Sequence, residues 1–232
     1  MSRISDWYSS LGEFSFPTVF LRLGPADVQA LVQGEMHGPA AEEMMRRLQR
    51  AIKSLPGFGF VGADSCAPTD SPHFRYGAGL FAGRSAWRLV TTSEKVRNAF
   101  QRGETERLTV RPFRRMDRTR EFRMFFFGRK LVAMSQYFLE RHFHRLEKRE
   151  DEIWTRGKDL ATRIAPFLPQ NTLVVDVYLC SDGEMLMVDA NSWGGDTDPK
   201  LLKTWDRNWE EEVGLKLIPR PIKMKGDISV SF

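Results

Sequence analysis

The sequence predicts an α+β protein with its antiparallel hairpins gathered in the second half of the chain. Two segments carry that expectation. In residues 122–136 and 173–191, β-branched and aromatic runs flank short turn signals, Gly128-Arg129 in the first and Asp182-Gly183 in the second. The third observation is helical spacing. Met44, Met45, Leu48, Ala51, Ile52 and Leu55 recur on one face of residues 40–55, and Pro56-Gly57 closes the segment.

The remaining elements follow in order. Residues 14–23 are aromatic and β-branched and predict a strand. Residues 58–70 read as a short strand and a loop. Residues 76–83 are glycine-rich but lack phosphate-loop spacing. Residues 93–100 predict a short helix with Thr92 or Ser93 as its cap. Residues 108–113 predict a strand at a lobe boundary, dividing the chain into 1–107 and 108–232. Residues 146–168 are charge-rich and helical, with Pro166 near the end. Past Asp206 the pattern is mixed and includes the basic string IPRPIKMKG. There is no internal repeat and no long low-complexity linker.

At 232 residues the chain suits one domain, or one built from two lobes, and 41% hydrophobic residues suffice for a core. No apolar run approaches the ~20 residues of a membrane span, and MSRISDWYSS lacks the apolar stretch of a secretory signal. With Cys66 and Cys180 as the only cysteines, a reducing, cytoplasmic setting is expected. A net charge of +5 and a pI of about 9.4 favour polyanions: nucleotides, nucleic acid or acidic proteins. Much of the excess lies in RPFRRMDRTR, residues 111–120.

The chemistry concentrates in VVDVYLCSDGEMLMVDANSW. A two-residue turn at Asp182-Gly183 sets Ser181 opposite Glu184 and, counting back, Asp176 opposite Asp189. Side chains alternate across a strand. Val175, Val177 and Leu179 then share an apolar face with Leu186 and Val188, and Asp176, Asp189 and Asn191 share the other. Two facing carboxylates repel. A bound cation would offset this, and two carboxylates with one amide suit Mg²⁺, which takes oxygen ligands and substrate phosphates. The bland alternative is two solvated aspartates, or a pair neutralised by an arginine. In the first hairpin, a turn at Gly128-Arg129 sets Glu121 opposite Gln136 and Arg123 opposite Met134. Arg123 is a phosphate-contact candidate, against the plainer reading of a Glu–Arg surface pair.

Several strings together resemble the cell division cycle protein 123 (D123) family. TREFRMFFFGRKLVAMSQYF is similar to its EFR-to-SQ hairpin. VVDVYLCSDGEMLMVDANSWGGDTDPKLLKTW is similar to its segment from a D-x-Y strand through an aspartate–x–asparagine pair to T-D and a tryptophan. ISDWYSSLGEFSFPTVFLRL resembles its N-terminal W-Y segment, and SCAPTDSP its S-x-P-x-D loop. The family is an ATP-grasp branch. The resemblance therefore implies two lobes with antiparallel sheets enclosing a nucleotide cleft, ATP and Mg²⁺ as cofactors, and Asp176, Asp189 and Asn191 as metal ligands. It implies Arg123 as a phosphate contact with a catalytic role, and Val110, Arg111 and Phe113 at the adenine hinge, with Glu121 among the nucleotide-binding residues.

The departures are specific. The family's phosphate-contacting lysine falls at Val61 or Gly62 here. The arginine after its S-Q pair is Tyr137, and its hinge lysine is missing from VRPF. Arg75, Arg84, Lys95 or the 111–120 stretch are the substitutes on offer. The chain also lacks the family's acidic insertion and long C-terminal tail, and resembles a compact version of bacterial or phage kind.

Three functions remain open from the sequence. ATP-grasp enzymes mostly join a carboxylate to an amine through an acyl phosphate, which makes a ligase acting on a protein or peptide one expectation. The resemblance also implies an assembly chaperone for translation initiation factor 2 that binds ATP with slow or absent turnover, although the missing acidic insertion and tail argue against the eukaryotic form of that role. Charge alone would allow an RNA-binding module, although no aromatics interleave with the 111–120 arginines as in a single-strand groove. A run this arginine-dense more often means a solvated or partner-facing loop. His142 and His144 lie two apart but lack the companions of a zinc site. The cysteines lack base partners for nucleophilic catalysis. Phe125, Phe126 and Phe127 are expected in the sheet core, Trp193 as a cleft wall and Trp205 as packing.

Overall fold

The computed structural model describes residues 3–75, 79–195 and 197–221. Two sheets divide it. The smaller, of three antiparallel strands, has the order β1-β3-β2, with β1 at Val19–Arg22, β2 at Gly59–Ala63 and β3 at Arg107–Pro112. The larger has five strands in the order β7-β6-β4-β5-β8. Here β4 is Glu121–Phe127, β5 Lys130–Gln136, β6 Leu173–Leu179, β7 Met185–Ser192 and β8 Gly214–Lys216. All its pairs are antiparallel except β5 with β8. The architecture is α+β, in two lobes. The expected boundary at 107/108 falls at the start of β3, a strand hydrogen-bonded within the smaller sheet.

Four helices cover the smaller sheet: α2 (Pro25–Gln33), α3 (Pro39–Lys53), α4 (Gly83–Thr91) and α5 (Glu94–Gln101). Their apolar faces, including Leu31, Met44, Leu48, Trp87 and Phe100, bury against Val61, Leu108 and Val110. Helix α3 matches its 3.6-residue pattern closely. Helix α5 begins where expected, because the Ser93 hydroxyl accepts the Val96 N–H at 3.2 Å. Helix α2 has a start signal that the apolar periodicity hid: Pro25 opens it, and the Asp27 carboxylate accepts the Gly24 N–H at 2.9 Å.

In the larger lobe, one sheet face carries Phe122, Met124, Phe126, Val175, Val177 and Met134. It packs on α7 (Glu150–Ile164) through Ile153, Leu160 and Ile164, and on α1 (Ile4–Leu11) through Trp7 and Leu11. The expected 146–168 helix is broken. A single turn, α6 (His144–Glu147), precedes α7, and a short 3₁₀ turn over Ala165–Phe167 accommodates Pro166. The strand expected over 14–23 shrinks to Val19–Arg22, since Pro17 lacks the N–H a longer ladder needs. The expected mixed region beyond Asp206 contains β8; the end of IPRPIKMKG, and residues 76–78 of the glycine-rich stretch, lie outside the described residues.

Both hairpins form, with registers that the turn signals alone misplace. In the first, Gly128 and Arg129 have φ of 59° and 64°, the left-handed pair of a two-residue hairpin turn. Glycine supplies that conformation freely. Arg129 holds it while its side chain bonds the Asn171 Oδ1 at 2.7 Å and the Ala165 carbonyl at 2.7 Å. A bulge then shifts the pairing, so Arg123 faces Ser135 rather than Met134, and the Tyr137 N–H, not Gln136, meets the Glu121 carbonyl. In the second hairpin, Leu179 pairs with Met185, one residue off the expected register, and a bulge between Asp176 and Val177 restores it. The buried residues of β7 near the turn are therefore Met185 and Met187, not Leu186 and Val188. Phe125 and Phe126 are fully buried, while Phe127, at the turn, is 37% exposed.

Gly83 fixes how α4 meets α3. A Cβ there would stand 2.0 Å from the Met45 carbonyl oxygen, a backbone atom that cannot swing aside. Gly83→Ala should lower stability by about 1–3 kcal/mol in denaturant titration, without changing the denaturant slope.

Candidate nucleotide and metal site

The polar residues of the site stand on the larger sheet's other face. The alternation that buries Phe122, Met124, Val175 and Val177 on one side turns Arg123, Asp176 and Asp189 to the opposite one. Along the same strands, Phe125 and Val174 share that face and are covered by Leu202 and Trp209. The face is thus half aromatic core and half charge.

Asp176 faces Asp189 across the β6–β7 ladder and Arg123 across the β6–β4 ladder. It is engaged on both oxygens. Arg123 Nε donates to Oδ1 at 2.7 Å and Nη2 to Oδ2 at 2.8 Å, a bidentate fork between two side chains that are each about nine-tenths buried. Asn191 Nδ2 donates to Asp176 Oδ2 at 3.1 Å, which leaves the Asn191 carbonyl oxygen facing outward from that bond. Arg123 Nη1 goes to the Asp198 carbonyl at 2.7 Å, and its guanidinium lies over the Tyr137 ring. The arginine-neutralised pair is therefore realised for Asp176.

Asp189 has no such partner. Among the described residues its one hydrogen bond is from the Ala190 N–H, at 2.9 Å. Burial and the neighbouring Asp176 charge push its carboxyl up to about 7, against the pull of Arg111. Glu121 is raised to about 7 in the same way, by burial first and by Asp176 second. Two carboxyls poised near neutrality on one wall are a common mark of a ligand site.

Arg111 links the lobes. From β3 its Nε donates to Thr18 Oγ1 at 3.0 Å, and its Nη1 reaches the Val188 carbonyl of β7 at 2.7 Å. Its Nη2 is buried with no hydrogen-bond partner among the described residues. Burial pulls its pKa down and the Asp189 charge holds it up. Nearby, the Ser15 hydroxyl donates to the Met187 carbonyl at 2.7 Å, a second tie between the N-terminal segment and β7.

Between the sheets lies a cleft of about 560 Å³, within the ~300–1,000 Å³ of small-molecule sites. Arg111, Phe113, Glu121 and Asp189 line it. Val110 does not: its side chain is fully buried in the smaller lobe's core. Asp176 sits behind the cleft. Arg123 and Asn191, both hydrogen-bonded to Asp176, line a second cavity of about 430 Å³. At the family lysine's position, Val61 points into the core and Gly62 into the cleft, where a Cβ would meet the Cys66 carbonyl at 3.1 Å. The cations that line the cleft instead are Arg75, Arg111, Arg114, Arg115 and Arg118. Arg118 also pairs with Glu140. Arg84 and Lys95 do not line it, and Lys95 Nζ bonds Thr69. In the S-x-P-x-D loop, Asp70 accepts from the Ser93 hydroxyl and the Lys95 N–H, and so caps α5. Trp193 lines the second cavity rather than the interlobe cleft, and packs against Trp205 and Trp209, so that Trp205 serves as packing.

The D123 family profile matches residues 86–221. The chain belongs to the D123 family. Over 87 residues it is 34% identical to the translation initiation factor eIF2 assembly protein of Danio rerio. That stretch is 37% of this chain and only 25% of the zebrafish protein, so this D123 member matches about a quarter of its curated relative. Cdc123 from Schizosaccharomyces pombe superposes with a TM-score of 0.79 over 94% of this chain and 95% of that one, at 21% identity, which establishes a common fold. A RimK domain ATP-grasp protein from Sphaerobacter thermophilus overlaps more loosely. Its TM-score is 0.45 at 15% identity, over 82% of this chain and 58% of that chain. No helix among the described residues is long and apolar enough to cross a membrane.

Oxygen donors of this kind fit a hard divalent ion. Asp189 and the Asn191 carbonyl oxygen are available, and Asp176 has lone pairs beyond those Arg123 uses. Among the described residues there is no cluster of three His, Cys, Asp or Glu. With two carboxylates and one amide, an ion here would need ligand phosphates to complete its shell.

Two predictions follow from this geometry. Asp176→Leu or Arg123→Met alone should cost about 3–5 kcal/mol by stranding a buried charge, while the double variant Arg123→Met/Asp176→Leu should lie much closer to wild type in a denaturation cycle. A carboxyl that binds its proton more tightly when folded stabilises the fold at low pH and loses that contribution as pH rises. The ligand-free protein should therefore lose stability between about pH 4 and pH 7, and Asp189→Asn should flatten that slope.

Proposed function

We propose that this D123 protein binds a magnesium–nucleotide complex in the cleft between its sheets and serves as an assembly factor for a protein partner. The nucleotide is then a bound ligand that sets lobe geometry. The observation that carries the nucleotide reading is one cleft with opposed chemistry: arginines on one wall, and Asp189, with Asp176 and Asn191 beside it, at the sheet. Arg75, Arg111, Arg114 and Arg115 would receive phosphate oxygens, and Phe60 and Phe113 offer aromatic faces to a base. Asp189 and Asn191 would hold Mg²⁺, with Asp176 shared between the ion and Arg123. Bound there, Mg²⁺ would neutralise phosphate charge and fix the phosphates' orientation. The assembly reading is supported by the name of the zebrafish relative and by the absence of a lysine at the cleft's Gly62.

The second reading is an ATP-grasp ligase joining a carboxylate to an amine. It is favoured by one feature, a second cavity lined by Arg123 and Asn191, the two residues that hydrogen-bond Asp176, which offers room for a second ligand.

Isothermal titration with ATP tests the site. Binding should require Mg²⁺, disappear in Asp189→Ala and weaken at least ~tenfold in Arg114→Ala/Arg115→Ala, since each charge-assisted hydrogen bond is worth about 1.5–3 kcal/mol. Equal binding by Asp189→Ala would sink the site assignment. Cys66 lines the cleft and Cys180 does not, so Mg–ATP should slow alkylation of Cys66 alone. ADP release that rises with an added amine and carboxylate would favour the ligase reading, and tight binding without release the assembly reading.

A further inference from the structure

We infer that Phe58 and Phe81, with the cations around them, form a docking face for an acidic protein segment that carries aliphatic anchor side chains. The inference rests on the assembly reading for its role, and its chemistry lies outside the nucleotide site.

Phe81 and Phe58 are the most exposed large apolar side chains among the described residues, at 72% and 53%. One such ring alone on a surface is ordinary. These two stand together, with ring centroids 6.2 Å apart and planes inclined by 64°. Their backbone is held on three sides. Gly59 and Leu80 exchange two hydrogen bonds, of 2.6 and 2.8 Å, which sets Phe58 and Phe81 beside each other just outside that bridge. The Phe58 carbonyl accepts the Phe113 N–H, just past β3, at 2.7 Å. From α3, Gln49 Nε2 donates to the Phe81 carbonyl at 3.0 Å while its Oε1 accepts the Gly83 N–H at 2.9 Å. The Gly79 backbone closes the space behind, since a Cβ there would stand 2.4 Å from the Phe58 Cβ. An apolar surface fixed in this way has little ordering left to lose when a partner covers it.

Charge selects the partner. Residues 45–60 and 79–88, which carry the rings, hold Arg46, Arg47, Arg50, Lys53, Arg84 and Arg88 and no Asp or Glu. Arg46 and Arg50 reach Glu43, and Arg47 reaches Asp27. Lys53, Arg84 and Arg88 are exposed and make no ion pair among the described residues. Lys53 lies one helical turn beyond Gln49, and Arg84 and Arg88 are four apart on α4, a spacing at which like charges repel. Carboxylates of a partner would relieve that repulsion. The ring geometry then separates acidic protein from nucleic acid. Successive bases stack on parallel faces, and two rings inclined by 64° do not supply them. The apolar corner they make suits branched aliphatic side chains, which have no plane to match.

The test uses a fluorescein-labelled octapeptide with six acidic residues around a central pair of leucines, titrated into the full chain and read by anisotropy. One control peptide carries serines in place of the leucines, and the other probe is labelled hexauridylate. The leucine peptide should bind saturably and the serine peptide at least ~tenfold more weakly, as expected when two aliphatic side chains lose their burial. Phe81→Ser should cost ~tenfold or more, and Lys53→Glu/Arg84→Glu a similar factor. Both variants change exposed side chains, so their melting curves and Mg–ATP binding should match wild type. The comparison of the two peptides on wild type stands without any variant. Equal affinity for the two peptides, no saturable binding at millimolar peptide, or unchanged binding by Phe81→Ser would overturn the inference. So would hexauridylate that binds as tightly as the leucine peptide and is lost in Phe81→Ser, because the face would then serve nucleic acid. Release of ADP that rises with an added amine, with peptide binding intact, would sink the assembly reading and leave the docking face standing.

Discussion

The buried fork between Arg123 and Asp176 sets the constraint under which the rest of the site is arranged. Both residues sit on adjacent inner strands of the larger sheet, β4 and β6, opposite one another in register. Neither charge could stand there alone, since an isolated ion in such surroundings costs several kcal/mol. Once paired, Asp176 still exerts its field on its neighbours. It helps lift Asp189 and Glu121 to about 7 and Tyr137 to about 12, in each case after burial itself. The polar half of the sheet face is thus one coupled electrostatic system with Asp176 at its centre.

Arg111 plays a different part, because it spans the two sheets. It bonds Thr18 beside the smaller sheet and the Val188 carbonyl on the larger one. That carbonyl belongs to the residue just before Asp189, so the placement of the free carboxyl depends on a contact from the other lobe. The arrangement also leaves one guanidinium nitrogen buried and unsatisfied among the described residues. A buried donor without a partner costs about 1–3 kcal/mol, and an anion in the cleft is the kind of group that would recover this cost.

Much of this was legible in the sequence, though not for uniform reasons. The hairpins were legible because turn residues and alternation agree over fifteen or more residues each. The facing of Asp176 and Asp189 was reached through two errors that cancel: a turn one residue longer than Asp182-Gly183 implies, and a bulge beside Val177 that restores the register. In the first hairpin the bulge beside Phe126 had nothing to cancel it, so Arg123 was paired with the wrong neighbour. Bulges carry no reliable local signal, because one extra residue changes neither composition nor the average alternation. The Arg123–Asp176 fork was invisible for a related reason. Each hairpin could be registered internally, but the β4–β6 contact joins the two hairpins across a helix-bearing connection. Lys200 had no signal at all: it opens a one-turn 3₁₀ segment after Asp198-Pro199 and is drawn inward by tertiary contacts.

Asp176 also stands between residues that line the two cavities. On one side stands Asp189, which faces the interlobe cleft; on the other stands Arg123, which lines the second cavity. Arg123 in turn holds the Asp198 carbonyl through Nη1, and Asp198 holds Lys200. A cation drawn to Asp176 from the cleft side would compete with the guanidinium for the same oxygens. Weakening that fork would loosen the Asp198 backbone and with it the ion pair that keeps Lys200 occupied. The path is four groups long, every link is a hydrogen bond or ion pair between named atoms, and each can be cut by a single substitution. Asp176 and Lys200 are thus connected by one chain of bonds that runs through Arg123 and Asp198.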